Sequence, residues 1–144
     1  MKIERFEDIK AWQESRELTK MVFGVTSSDG SFKSYRLRDQ IEGAAISTMA
    51  NIAEGFDSQS DAEFIRFLIY SRRSSSEVQS HLYVALDQEY ITKAQFDEIY
   101  EKVLVVKNLI GGFIRYLKGK TSDVIWTLDV GLRTSDFGLK QWLL

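Results

Sequence analysis

Apolar residues recur every three or four positions through most of this chain, which is the spacing of one face of an α-helix. Two long runs show the pattern most clearly. The first comprises Phe64, Phe67, Leu68, Ser71, Ser75, Val78, Leu82 and Ala85, and the second comprises Phe96, Ile99, Val103, Val106, Ile110, Phe113 and Leu117. They predict a third helix that Ser60 or Asp61 caps, and a fourth helix over residues 92–117.

Two further helices precede these runs. The first is predicted over residues 7–25 and ends in the turn-like residues 26–31. Its predicted inward residues are Ile9, Trp12, Met21, Val22 and Val25. The second begins near Ser34 and ends at Gly55, and its small residues let a neighbouring backbone approach closely. One face of this second helix carries Leu37, Ile41, Ala44, Ala45, Thr48 and Ile52.

The end of the chain has a different pattern. Residues 121–144 alternate apolar and polar positions approximately every second residue, which predicts that they do not continue the fourth helix. Their large aromatic side chains favour docking onto the bundle or onto a neighbouring subunit over free solvation. We therefore predict an all-α, antiparallel up-and-down four-helix bundle in residues 1–119, followed by a C-terminal extension, residues 120–144, that is docked or flexible.

Composition narrows the class of protein. The chain contains no cysteine, which excludes disulfides, thiolate metal sites and cysteine nucleophiles, and favours a cytoplasmic location. The N-terminus lacks the apolar segment of a signal peptide, and no apolar run approaches the roughly 18 residues of a membrane span, so we expect no membrane association. A net charge of −2 supplies no overall attraction to nucleic acid.

Few residues suggest catalysis. The single histidine, His81, follows Glu77 by four positions, whereas a ferritin-type di-iron site needs a glutamate and a histidine three apart on each of two helices. We therefore predict no catalytic residue, no metal site and no cofactor. Asn51, Glu54 and Glu77 form instead a candidate structural polar cluster that fixes the register of the helices. The enzymatic alternative is a helical ribonuclease that uses Arg73 and His81.

Two surfaces are candidates for binding other molecules. A candidate basic patch, able to contact phosphate groups of RNA, consists of Arg36, Arg38, Arg66, Arg72 and Arg73. Leu104, Leu109 and Ile114 lie off the inward seam of helix four, and this additional apolar surface indicates an interface between copies of the chain. In the alternative interpretation, the arginines only pair with neighbouring carboxylates and the apolar residues only thicken the core.

Three segments carry a resemblance to a known family: FEDIKAWQESREL at residues 6–18, YRLRDQIEGAAISTMANIAEGF at residues 35–56, and EFIRFLIYSRRSSSEV at residues 63–78. Together they resemble the four helix bundle protein family. Its members include products of intervening sequences in bacterial 23S ribosomal RNA genes, and a related branch includes the accessory variability protein of diversity-generating retroelements. The resemblance covers about residues 5–118.

The resemblance implies a bundle that assembles with copies of itself, usually as a homopentamer, and that in most members has no established enzymatic activity. We therefore expect a homo-oligomeric scaffold. The alternative that the resemblance implies is an accessory protein that binds RNA or a nucleic-acid-binding protein, as in the retroelement branch. Glu42 and Gly43 stand where the family often has a basic pair, and this departure weakens the RNA-binding alternative.

Overall fold

The computed structural model describes the backbone of residues 2–130 and the side chains of residues 2–120. Its elements are a short 3₁₀ turn at Phe6–Asp8 and the helices α1 (Lys10–Ser27), α2 (Tyr35–Phe56), α3 (Asp61–Asp87) and α4 (Lys93–Val130). Each helix contacts the next along the chain, and α4 also contacts α1. The helices therefore surround one core as an up-and-down four-helix bundle, which confirms the predicted fold class.

The core consists of the side chains that the helical spacing predicted to face inward. Of the fourth-helix run, all seven residues from Phe96 to Leu117 are at most 5% exposed. On α2, Ile41, Ala45 and Ile52 are fully buried, as are Leu68 and Leu82 on α3. Burial of apolar surface of this kind is the main term that favours the folded state. The three-four periodicity thus identified most of the core. On α1 it was less accurate, because Trp12, Met21 and Val25 are only partly buried and the fully buried Leu18 was not predicted.

Helices α2 and α3 pack closely because small residues line their contact. A β-carbon added at Gly55 would lie 2.6 Å from Cδ2 of Phe64 and 2.8 Å from Cβ of Phe67. Further along, the hydroxyl oxygens of Ser47 and Ser74 are 3.0 Å apart. A side chain larger than serine or glycine at these positions would push the two helices apart.

Serine residues form the N-caps of two helices, α2 and α3. The hydroxyl oxygen of Ser34 accepts a hydrogen bond from the backbone N–H of Leu37 at 3.2 Å, and that of Ser60 accepts one from the N–H of Glu63 at 3.2 Å. Each bond satisfies an N–H group that has no partner within its helix. The predicted start of helix two near Ser34 and the predicted cap at Ser60 are both confirmed.

Two predicted helix boundaries are wrong. Helix α1 begins at Lys10 instead of residue 7, because residues 6–8 form a separate 3₁₀ turn and Ile9 has extended backbone angles. Helix α4 does not end at residue 117 but continues to Val130. The alternation of apolar and polar positions from residue 121 predicted that the helix does not continue, yet extending an existing helix costs far less than starting one. The part of the predicted extension after Val130 lies outside the described residues.

Candidate interaction surfaces

The arginines of the candidate basic patch do not converge. Arg36 and Arg38 lie in the first turn of α2, and Arg66 lies near the start of α3. Gly55, at the end of α2, packs against Phe64 at the start of α3, so the two helices are antiparallel. From Arg38 to Gly55 the axis of α2 advances about 25 Å. The patch is therefore divided between opposite ends of the bundle.

Two of these arginines are engaged by neighbouring groups. The Nη2 atom of Arg38 donates to the backbone carbonyl of Phe32 at 2.9 Å, and its guanidinium lies 5.5 Å from the centre of the Tyr35 ring. Arg66 forms an ion pair with Glu63, three residues earlier on α3. Both side chains thus have local structural roles.

Arg72 and Arg73 lie side by side in the middle of α3, and both are exposed. Tyr70 precedes them and is 39% exposed. Exposed guanidinium groups can contact phosphates, and an exposed aromatic ring can stack on a base. Of the candidate basic patch, Arg72 and Arg73 therefore lie close together in sequence and are both exposed.

The candidate polar cluster is also divided. Asn51 donates from Nδ2 to the backbone carbonyl of Ser47 at 2.8 Å and to the Ser47 hydroxyl at 3.0 Å. Because the Ser47 hydroxyl contacts Ser74, Asn51 joins a short polar chain between α2 and α3. Glu54, one turn after Asn51, is exposed to solvent.

Glu77 lies far from Glu54 along the bundle. It is ten residues beyond Phe67, which packs against Gly55, and ten residues of helix advance about 15 Å. The Oε1 atom of Glu77 is instead 3.2 Å from Nε2 of His81 on the same helix. The structure therefore brings together Asn51 with Ser47, and Glu77 with His81, but not the three predicted residues.

No arrangement typical of an enzyme stands out in the described part of the chain. Within it, no three histidine, aspartate or glutamate side chains form a group that could hold a metal ion. Arg73 and His81, the residues of the ribonuclease alternative, are eight positions apart on α3, or about 12 Å along the helix axis. Nor does any helix in that part have an apolar stretch sufficient to cross a membrane.

The three residues of the predicted oligomer interface have different surroundings. Leu104 is 37% exposed, Leu109 is partly buried against the core, and Ile114 is only 7% exposed. Ile114 therefore belongs to the core of the single chain. Among these three, only Leu104 is exposed, and the adjacent Val105 is 43% exposed.

Leu104 is part of an apolar surface at the seam between α3 and α4. The ring of Tyr83 on α3 is 51% exposed and lies 5.9 Å from the ring of Tyr100 on α4. One turn beyond Leu104, the Nζ atom of Lys107 donates to the side-chain oxygen of Gln79 at 3.0 Å. We name Tyr83, Tyr100 and Leu104 the α3–α4 face. The hydrogen bond with the neighbouring hydroxyl of Tyr83 raises the pKa of Tyr100.

A second apolar surface lies at the seam between α1 and α2. The hydroxyl of Thr19 donates to the backbone carbonyl of Ala45 at 3.2 Å, and that of Thr26 donates to a glutamate side chain of α2. Phe23 lies between these two threonines on α1 and is 37% exposed, and Ile46 follows Ala45 and is 47% exposed. We name Phe23 and Ile46 the α1–α2 face.

The two apolar faces are on opposite sides of the molecule. Because α1, α2, α3 and α4 follow one another around the core, the seam between α1 and α2 is opposite the seam between α3 and α4. Of these residues, only Leu104 was predicted from the sequence to lie at an interface. Phe23 and Ile46 are isolated apolar residues on the outward sides of their helices, and periodicity alone does not distinguish such residues from ordinary exposed ones.

One ion-pair network joins α1 to α4. Lys102 donates to the carboxylate of Glu14 at 2.6 Å, and Lys10 approaches its other oxygen at 3.0 Å. The hydrogen bond from Lys102, followed by the one from Lys10, lowers the pKa of Glu14. This network lies at the α4–α1 seam, between the two apolar faces, and holds the first and last helices together.

The fold of this chain is similar to that of a known protein. A solved structure of a protein with unknown function from the S23 ribosomal protein family, from Bacteroides thetaiotaomicron, has a similar fold, with a TM-score of 0.66 and 24% sequence identity. The match covers 72% of this chain and 97% of that one. A search of curated proteins gives no match.

A family model matches most of the bundle. It is that of the 23S rRNA-intervening sequence protein, and the match runs over residues 7–112, from the 3₁₀ turn to the last turns of α4 within the core. This range includes all the residues of both apolar faces. The chain therefore belongs to the 23S rRNA-intervening sequence protein family.

Proposed function

We propose that this protein is a non-enzymatic scaffold that assembles into a closed ring, expected to contain five copies. In this ring the α1–α2 face of one copy packs against the α3–α4 face of the next. The observation that carries the proposal is the presence of two different exposed apolar faces on opposite sides of one bundle. Large apolar side chains that cluster on a surface are typical of interfaces between proteins.

The position of the two faces favours head-to-tail assembly over a simple dimer. In a two-fold symmetric dimer, the same surface of both copies meets itself, so one apolar face is sufficient. A ring is built by head-to-tail contacts, which require two different surfaces on each copy. A bundle with apolar surface at opposite seams has this property. The ion-pair network of Glu14 stabilises the seam between them and leaves both faces available.

The mass of the protein in solution tests the proposal. Light scattering coupled to size exclusion is expected to give a mass near five chains for the unmodified protein. Leu104→Ser on one face and Ile46→Ser on the other are each expected to lower the mass to that of smaller species. Both side chains are exposed in the single chain, so helical content measured by circular dichroism is expected to persist.

Tyr70→Ser is the matched control. Tyr70 is also a large exposed side chain, but it lies one turn before Ser74, which contacts α2, so it is outside both apolar faces. Its substitution is expected to leave the mass unchanged. A single-chain mass for the unmodified protein would contradict the proposal. An assembly unaffected by Leu104→Ser and Ile46→Ser would show that other surfaces form it.

RNA binding is the second candidate function, and the exposed pair Arg72 and Arg73 beside Tyr70 favours it. Contacts from these arginines to phosphate groups would release counterions and make binding sensitive to salt. Arg72→Gln with Arg73→Gln is expected to remove such binding to a structured RNA. Arg36→Gln, at the far end of the bundle, is the control. Binding that survives the double substitution would exclude this site.

A further inference from the structure

A half-open pocket of about 390 Å³ lies at the end of the bundle where α2 turns into α3. Aromatic rings form its apolar wall: the ring centres of Phe64 and Phe113 are 5.0 Å apart, and those of Phe56 and Phe64 are 6.3 Å apart. Pockets of this size and lining accept an aromatic group. The pocket is on neither of the two apolar faces, so the scaffold proposal does not use it.

Charged side chains surround the opening of this pocket. Lys2 lies in the N-terminal segment, Lys120 lies on α4 with its Nζ atom 5.9 Å from the centre of the Tyr116 ring, and Asp61 is the first residue of α3. An occupant with an aromatic side chain, one acidic group and one basic group would complement both the wall and the rim.

The chain itself contains a segment of this chemistry. Asp136, Phe137 and Lys140 follow the end of α4 in the sequence, in a part of the chain outside the described residues. They also lie beyond the range 7–112 that the family shares. An aromatic residue, an acidic residue and a basic residue thus match the aromatic wall, the two lysines and the aspartate of the pocket.

The segment is also long enough to reach the pocket. Helix α4 passes the rim at Lys120 and ends at Val130, so its last ten residues carry the chain about 15 Å beyond the rim. The seven residues from Val130 to Phe137 can span up to about 23 Å. A second molecule would have to compete with this tethered segment, whose effective concentration at the pocket is of the order of millimolar.

We infer that residues 136–140 of the same chain occupy this pocket, with Phe137 against the aromatic wall, Asp136 facing Lys2 and Lys120, and Lys140 facing Asp61. In this arrangement the extension covers apolar surface at one end of the bundle. The segment that fills the pocket belongs to the extension of this chain and lies outside the bundle that the family shares. The inference is independent of the ring and of any RNA binding.

Engineered disulfides test the inference in the full-length protein. The natural chain has no cysteine, so Gln59→Cys at the pocket and Gly138→Cys in the segment form the only pair. A disulfide requires α-carbons within about 7 Å of each other. We expect mild oxidation to give a cross-link within one chain, identified by peptide mass spectrometry and by the absence of a two-chain band on a non-reducing gel.

Two controls make the result decisive. Ser80→Cys with Gly138→Cys places the first cysteine on α3 about 28 Å from the start of that helix, and it is expected to give no cross-link within one chain. Phe137→Ala added to the Gln59→Cys and Gly138→Cys pair is expected to lower the yield severalfold. Leu139→Ala is expected to have a smaller effect.

Three results would overturn the inference. The first is a yield from the Gln59 pair no greater than that from the Ser80 pair. The second is a yield insensitive to Phe137→Ala, because the aromatic side chain would then not hold the segment in place. The third is a cross-link between two chains at dilute protein concentration, which would show that the extension of a second copy, and not of the same chain, occupies the pocket.

Discussion

Gly55 is a residue at which adding one carbon atom is expected to destabilise the protein strongly. A β-carbon there would lie 2.6 Å from Phe64 and 2.8 Å from Phe67. Because Phe67 Cβ is fixed to its backbone, α3 would have to move. We predict that Gly55→Ala lowers the free energy of unfolding by about 1–3 kcal/mol, measured by urea denaturation.

Gly43→Ala is the matched control for this prediction. Gly43 lies on the same helix, and a β-carbon added there would meet nothing within 4 Å. Alanine also restricts the unfolded chain more than glycine does, so we expect this substitution to stabilise the protein by about 0.5–1 kcal/mol. Equal effects of the two substitutions would contradict the close contact between α2 and α3.

Glu14 gives the protein a predictable response to acid. Lys102 and Lys10 lower the pKa of its carboxyl in the folded state, so folding favours the ionised form. Its contribution is therefore fully present above the unfolded pKa of about 4.3 and is lost as the pH falls through the lower folded value. We expect Glu14→Gln to cost about 1 kcal/mol at neutral pH and progressively less below about pH 4.

Urea denaturation at a series of pH values measures this effect. The control is Glu17→Gln, which removes an exposed ion pair with Lys20 within α1. It should change stability less at neutral pH, because that pair joins no second helix. If the difference between the unmodified protein and Glu14→Gln stayed constant from pH 7 to acid, the ion pairs of Glu14 would not be the cause.

At the scale of helices, the contact between α2 and α3 depends on side chains of small volume. Ser71 is fully buried, and its hydroxyl donates to the backbone carbonyl of Thr48 across this contact. Leucine at this position would remove the hydrogen bond and force the helices apart. We predict that Ser71→Leu costs about 3 kcal/mol or more in unfolding free energy, whereas Ser80→Leu, exposed on the same helix, changes it by about 0.5 kcal/mol or less. Comparable losses would indicate that α2 and α3 tolerate larger spacing.

The four helices and their core could be predicted from sequence because periodicity reports which residues face inward. The predicted run from Phe96 to Leu117 is buried throughout, and Ser60 caps its helix as expected. Helix boundaries that no capping residue marks were less predictable. Helix α4 continues past Leu117 to Val130, because extending a helix that is already formed costs little even where apolar and polar positions alternate.

The candidate surfaces could be predicted only in part, because they depend on which ends and seams of helices meet. Residues 36–38 and Arg66 are separated by the antiparallel packing of α2 and α3, which no local pattern shows. Ile114 lies off the periodic seam yet is buried, while Leu104 is exposed. Phe23 and Ile46 become a common surface only once α1 and α2 are side by side.

At the scale of the whole molecule, the proposed assembly depends on two different apolar faces that meet between copies. A head-to-tail contact predicts that damage to one face leaves the other intact. Ile46→Ser damages the α1–α2 face and keeps the α3–α4 face, and Leu104→Ser does the opposite. In a solution of either variant alone, every contact between copies therefore lacks one of its two intact faces.

Mixing these two variants shows whether the two different faces pair with each other. The intact α3–α4 face of the Ile46→Ser chain can pair with the intact α1–α2 face of the Leu104→Ser chain, but the chain of contacts cannot continue. We predict that each variant alone gives a single-chain mass by light scattering, and that an equimolar mixture gives the mass of two chains, one of each kind. A mixture that remains at the single-chain mass would contradict the head-to-tail ring.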